Sequence, residues 1–255
     1  MTHVLVTRPL EASQQLADQL EAAGLFPIVM PLYTFSARKP AIDMNSVWSR
    51  SVMRKLAVFT SPRAVQYGLP HIPHDVLHDL EIAVVGSATR AKLESSGYPV
   101  HLQAGSGFTS EDLLQVPELA VDPGAAVIFC APGGRETLAN GLSELGWNVS
   151  SAMVYERLPL RPASAQIDMI SGAKDLLSIW TSISALKLAE EHLPGAVWTK
   201  ILKAPALVIS ARIQHYLQQL GATRVELADG PGNPDLLQSI INRPQDGQQT
   251  IERRN

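Results

Sequence analysis

The second half of this 255-residue chain repeats the first. The run VLVTRP at 4–9 returns as VIFCAP at 127–132, LADQLEAAG at 16–24 returns as LANGLSELG at 138–146, and Tyr33 returns as Tyr155. FTSPRAV at 59–65 matches WTSISAL at 180–186, and AVVGSATRAKLESSG at 83–97 matches LVISARIQHYLQQLG at 207–221. A final DLLQ at 112–115 recurs at 235–238. The matched units keep one order at offsets of 121 to 124 residues. A duplicated half of this size predicts two similar lobes.

Within each repeat, short runs rich in Val and Ile alternate with helical patterns. Val4–Thr7 reads as a strand; Ala12, Leu16, Leu20 and Ala23 then place an apolar stripe on a helix that Gly24 ends. Repeated strand–helix alternation of this kind predicts an α/β fold with parallel sheets. Segments 29–37 and 149–160 also have strand character, are bordered by Pro or Arg, and read as hinge strands between the lobes. Residues 245–255 carry a single aliphatic side chain and read as a mobile tail.

Charge and hydropathy exclude several classes of function. With 21 basic and 24 acidic residues the net charge is −3, so the chain offers no polycation to track a phosphate backbone, and nucleic acid is not expected as a partner. The longest apolar runs, such as Ile82–Val85 and Ala206–Ile209, are strand length, well short of the roughly 20 residues that span a bilayer. The N-terminal MTHVLVTRP enters a strand pattern directly, without the layout of a secretory signal. Cys130, the only cysteine, has no internal partner, so a reducing, cytoplasmic location is expected.

Familiar catalytic signatures are missing. His71, His74 and His78 are interrupted by Pro73 and lack a cysteine or close carboxylate, so no metal site is expected. AGSGFTSED at 104–112 has neither the Lys-Ser/Thr ending nor the third glycine of a phosphate loop, and reads as a loop capped by Thr109 or Ser110. No G-x-S-x-G elbow occurs, and Cys130 reads as a small buried residue at a strand end. What recurs in both halves is a hydroxyl or small residue where a strand ends and a helix begins: Thr60-Ser61, Gly86-Ser87, Thr181-Ser182 and Ser210-Ala211. Strand carboxyl ends are where open α/β sheets bind ligands. The free N–H groups of helix starts there suit a ligand carrying many carboxylates.

Five motifs in collinear order, VLVTRP at 4–9, FTSPRAV at 59–65, AVVGSAT at 83–89, VYER at 154–157 and WTS at 180–182, resemble the uroporphyrinogen-III synthase family over about residues 3–241. The resemblance implies two flavodoxin-like parallel-sheet lobes joined by a two-stranded antiparallel linker. Domain 1 is then discontinuous, 1–35 with 160–255, and domain 2, 38–157, is inserted into it. The implied activity is that of a cofactor-free hydro-lyase of tetrapyrrole biosynthesis. It closes hydroxymethylbilane to uroporphyrinogen III, inverting the last pyrrole through a spiro intermediate. The enzyme is expected to be a monomer, touching the preceding pathway enzyme at most transiently.

By the same resemblance Tyr155 is the expected proton donor, and Thr89 falls on a family threonine expected to line the cleft. Arg8, after Thr7, together with Arg63, Arg157 and Arg135 are the expected binders of acetate and propionate groups; Arg135, after Gly133-Gly134, ranks first. In the second repeat Ser210-Ala211-Arg212 departs from the family pattern, and Ile213 stands where the first has Thr89, so a symmetric pair of catalytic hydroxyls is not expected. Two other readings stay open: a two-lobed protein that closes on a small anion without catalysis, and a flavodoxin-like nucleotide module. The second would need phosphate loops that are missing from the sequence.

Overall fold

The computed structural model describes residues 1–49, 52–105, 109–133 and 136–243; the stretch read as a mobile tail, 245–255, lies outside them. The chain divides into two units, Met1–Thr34 with Leu158–Asn255, and Phe35–Arg157.

The first unit opens with β1 (Thr2–Val6), α1 (Leu10–Ala22), β2 (Phe26–Val29) and the start of β3 (Tyr33–Ala37). The inserted unit follows with α2 (Met44–Val47), β4 (Lys55–Phe59), α3 (Pro62–Gly68), β5 (Leu80–Val84), α4 (Ser87–Ser95) and β6 (Leu102–Gln103). It continues through α5 (Ser110–Leu114), β7 (Ala125–Cys130), α6 (Glu136–Glu144), β8 (Asn148–Met153) and β9 (Tyr155–Pro159). The chain then returns to the first unit through α7 (Ser164–Gly172), β10 (Asp175–Trp180), α8 (Ile183–His192) and α9 (Gly195–Lys203). It ends with β11 (Ala206–Val208), α10 (Ala211–Gln219), β12 (Val225–Leu227) and α11 (Asn233–Ile241).

Each unit holds a five-stranded parallel sheet, ordered β12-β11-β10-β1-β2 in the first and β6-β5-β4-β7-β8 in the inserted one. The two orders superimpose repeat on repeat. β1 and β2 correspond to β7 and β8, and β10 to β12 correspond to β4 to β6, so each sheet combines two strands of one repeat with three of the other. The expected α/β fold class is therefore observed, and the duplication lies beneath it. Helix ends carry the same trace: Gly97 after α4 and Gly221 after α10, repeat mates, sit at φ +85° and +99°, a region open to glycine because it has no Cβ.

Strands of a sheet covered on both faces read as near-continuous apolar runs; β4 and β7 are buried throughout and apolar at every position but the first of β4, Lys55. Their side chains alternate. Ala57, Phe59, Val127 and Phe129 enter one core, while Leu56, Val58, Ile128 and Cys130 enter the other. Phe59 and Phe129 stack at 4.6 Å. In the first unit α1 buries Ser13, Leu16, Ala17 and Leu20, a stripe rotated slightly from the Ala12-to-Ala23 line that the sequence suggests. Leu16 and Leu20 join Val4, Val6, Leu177 and Ile179 in that unit's core.

The two segments that read as hinge strands are each divided. Val29 still belongs to β2, and Met30 continues its ladder through an N–H bond to the Val6 carbonyl (2.9 Å); only from Tyr33 does the chain pair with β9 as a separate two-stranded sheet. Likewise β8 runs to Met153 in the inserted unit's sheet before β9 begins at Tyr155. The β3–β9 pair is antiparallel, bounded by Arg38 N–H to Val154 O (2.8 Å) and Leu160 N–H to Leu32 O (2.8 Å).

Candidate functional site

In a sheet ordered like that of the inserted unit, the chain leaves β4 towards β5 and β6 on one side and places β7 and β8 on the other. The crevice at the carboxyl ends of β4 and β7 is the topological switch point, where such sheets bind ligands. Thr60 and Ser61 follow β4 there; Ala131 and Pro132 follow β7. Ser61 caps α3, its Oγ accepting from Ala64 N–H at 3.1 Å. Thr60 Oγ donates to the Phe129 carbonyl at 3.0 Å, closing the last rung between the two strands.

Tyr155, the first residue of β9, stands over this crevice. Its hydroxyl lies 3.1 Å from Ser61 Oγ. Its ring stacks on Tyr67 (5.8 Å, 22°) and meets Phe35 edge-on (5.8 Å, 61°), and the side chain as a whole is buried. Tyr67 in turn donates to the Phe35 carbonyl at 3.4 Å. The Arg63 guanidinium lies 3.8 Å from the centre of the Phe35 ring, and that of Arg157 lies 5.7 Å from it. Phe35, Ala131, Pro132, Tyr155, Glu156 and Arg157 line a cavity of about 320 Å³. Arginine over an aromatic face keeps its fork of N–H donors at the ring's edge for a planar anion. The cluster thus combines cations, aromatic faces and one oriented phenol.

The equivalent place in the first unit lies at the ends of β10 and β1. Ser182 caps α8 through Ala185 N–H (3.2 Å), and its Oγ is 3.5 Å from the hydroxyl of Tyr33, the repeat mate of Tyr155. Thr7, buried, donates to the Ile179 carbonyl at 2.8 Å. Arg8 is half-buried and donates to the side-chain amide oxygen of Asn233. Burial pulls the Arg8 pKa down, and the nearby Tyr33 hydroxyl opposes that shift. A partly desolvated cation held by a neutral amide is a good receiver for a carboxylate.

The remaining sequence candidates are spread over the strand tips. Gly86 and Ser210 are the N-caps of α4 and α10, Ser210 Oγ accepting from Ile213 N–H at 3.4 Å. Thr89 is buried on α4, and the Tyr155 hydroxyl is bonded to Ser61. Thr181 is half-buried beside Ser182; Ser87, Gly133 and Arg212 are exposed. Gly134 and Arg135 lie outside the described residues. Cys130 is buried between β7 and α6, and that burial pushes its thiol pKa up, which disfavours a thiolate. Among the described residues no three His, Cys, Asp or Glu stand close enough to hold a metal ion, and no helix is long and apolar enough to cross a membrane.

The family model for uroporphyrinogen-III synthase HemD matches residues 14–246. The chain belongs to the uroporphyrinogen-III synthase family. Its activity is that of the family, a hydro-lyase reaction in tetrapyrrole biosynthesis. It is similar to the synthase of Salmonella typhimurium, 25% identical over 93% of this chain and 99% of that one, and to that of Escherichia coli with the same identity and shares. In fold it is similar to the Helicobacter pylori synthetase (TM-score 0.65, 18% identity, 94% of this chain and 99% of that one). A mutant synthase from Thermus thermophilus has the same fold (TM-score 0.59, 18% identity, 94% and 98%).

The residues gathered at these two sets of strand tips are only partly visible in the sequence. Phe35, Tyr67 and Asn233 escaped sequence reasoning. Arg63 and Tyr67 stand four apart on α3, a spacing that puts them on one helix face, and that was the one available signal.

Proposed function

We propose that this chain converts hydroxymethylbilane by fixing its shape at the strand tips and supplying one proton from Tyr155. The substrate carries an acetate and a propionate on every pyrrole, and Arg63 and Arg157 around Phe35 offer paired N–H donors to such groups. Tyr155 protonates the departing hydroxyl of the first pyrrole's hydroxymethyl group as the C–O bond breaks, and the pyrrole nitrogen supplies the electron pair that leaves an azafulvene. The last pyrrole attacks that carbon through its substituted position, giving the spiro intermediate; breaking the other bond and reclosing delivers the ring reversed. Pyrrole chemistry drives these steps, and the protein's contribution is orientation and timing.

The observation that carries this reading is the Tyr155 phenol, clamped between Tyr67 and Phe35 with its oxygen at the switch point. Positioned general acids contribute about a hundredfold or more. Tyr155→Phe is therefore expected to lower kcat by about a hundredfold while product binding persists. An unchanged kcat removes Tyr155 from the chemistry.

A further inference from the structure

Tyr155 has to give up a proton, and its present partner has one of its own. Ser61 Oγ already accepts from Ala64 N–H (3.1 Å), and a hydroxyl has one proton and two lone pairs. At 3.1 Å between Ser61 Oγ and the Tyr155 oxygen either atom is able to donate. If the phenol donated, its proton would be held by the serine and turned away from the substrate. If the serine donates, the chain of bonds runs Ala64 N–H to Ser61 Oγ, Ser61 O–H to the phenol oxygen, and phenol O–H out into the cavity lined by Phe35, Ala131 and Arg157. Once substrate displaces water from that cavity, only the second arrangement leaves every donor with an acceptor. It also polarises the phenol, each bond strengthening the next.

We propose that Ser61 is a positioning residue for the reaction: it donates to the Tyr155 oxygen, frees the phenol proton for the departing hydroxyl, and holds the phenolate that results. This rests on the reading of Tyr155 as the acid. In the step, the C–O bond breaks with its electron pair on oxygen, the Tyr155 proton completes a water molecule, and the phenolate keeps the Ser61 hydrogen bond. The proton released when the ring closes restores the phenol, so water is the only net product besides the macrocycle. Because the bond from Ser61 strengthens as negative charge grows on the phenol, its effect falls on kcat and not on KM.

The arrangement is built into the fold, since Tyr33 and Ser182 repeat it in the first unit at 3.5 Å. What sets the inserted unit apart is the surroundings. The repeat mates of Arg63 and Tyr67 are Ser184 and Leu188, neither a cation nor an aromatic ring.

The test uses the full chain and freshly prepared hydroxymethylbilane, measuring kcat and KM for Ser61→Ala, Ser61→Thr, Ser61→Asp, Tyr155→Phe and the Ser61→Ala/Tyr155→Phe double variant. Ser61→Ala is expected to lower kcat about tenfold with KM within about twofold, and Ser61→Thr to restore it. In the Tyr155→Phe background the Ser61→Ala change is expected to have no further effect. Ser61→Asp keeps a capping acceptor for Ala64 but takes the phenol proton for itself, so it is expected to fold and to fall about as far as Tyr155→Phe. Thr109→Ala, which removes the cap of α5 in the same unit, is expected to lower the melting temperature without changing kcat. Wild-type kcat in Ser61→Ala or Ser61→Asp, with Tyr155→Phe impaired, overturns the role of Ser61 and leaves that of Tyr155 standing. Independent, multiplying losses in the double variant overturn it too. Wild-type kcat in Tyr155→Phe shows instead that the underlying reading of the acid is wrong.

Discussion

Arg63 shows what a single side chain contributes at this site. Its guanidinium carbon lies 3.8 Å from the centre of the Phe35 ring, and a lysine ammonium offers neither a planar group to stack there nor a two-pronged grip on a carboxylate. Arg63→Lys is therefore expected to raise KM about fivefold, the equivalent of roughly 1 kcal/mol, with kcat nearly unchanged. An unchanged KM takes Arg63 out of substrate binding. Residues that act through local rules were legible in the sequence: Ser61 and Ser182 precede helices and cap them. Their partners were not, because Tyr155 lies 94 residues from Ser61 and Tyr33 lies 149 residues from Ser182. The repeat aligns Tyr33 with Tyr155, but only the fold shows each phenol meeting the serine contributed by the other repeat. Arg8 and Asn233 are further apart still, and no local pattern links them.

At the level of elements, α3 and the β4–β5 pair hold the tips in place. A Cβ on Gly68, at the end of α3, would come within 2.6 Å of the Phe129 ring and 3.1 Å of Phe59, and both rings are fully buried and stacked. Gly68→Ala is expected to cost about 1–3 kcal/mol, read as a fall in the denaturation midpoint; wild-type stability would mean that the rings shift without strain. Ahead of β4, Arg54 grips Glu81 of β5 with two bonds of 2.8 Å, and that hydrogen bonding holds the Glu81 carboxyl below its ordinary pKa. A carboxylate whose pKa falls on folding adds stability above its unfolded pKa, and that stability is lost as pH drops through the folded value. Glu81→Gln is thus expected to be less stable than wild type by about 1 kcal/mol or less at neutral pH, given the pair's exposure. The gap should close as pH falls below the glutamate range, whereas a gap constant with pH would deny the pair its role. Strand and helix identities could be read from period and punctuation, but the change from β2 to β3, and from β8 to β9, could not. The apolar run through Met30, Pro31 and Leu32, and the single Val154 between β8 and β9, keep a strand pattern while the chain changes partners, and alternation carries no information about which strand lies alongside.

Across the whole molecule, the duplication explains why each sheet needs both halves of the sequence: β1 and β2 complete the sheet of β10 to β12, and β7 and β8 complete that of β4 to β6. The same crossing gives each unit a tyrosine from one repeat and a capping serine from the other. Two copies of one frame then diverge in what surrounds the phenol, with Arg63, Tyr67 and Phe35 in the inserted unit and Arg8 with Asn233 in the other. On the reading proposed above, these strand tips set the geometry of a linear tetrapyrrole that closes by itself without inversion. The most direct measurement is to incubate the purified chain with freshly made hydroxymethylbilane and separate the macrocyclic isomers formed. The type III isomer is expected in large excess, formed at a rate proportional to protein; a type I product indistinguishable from the protein-free control would mean that the protein does not set the ring's geometry.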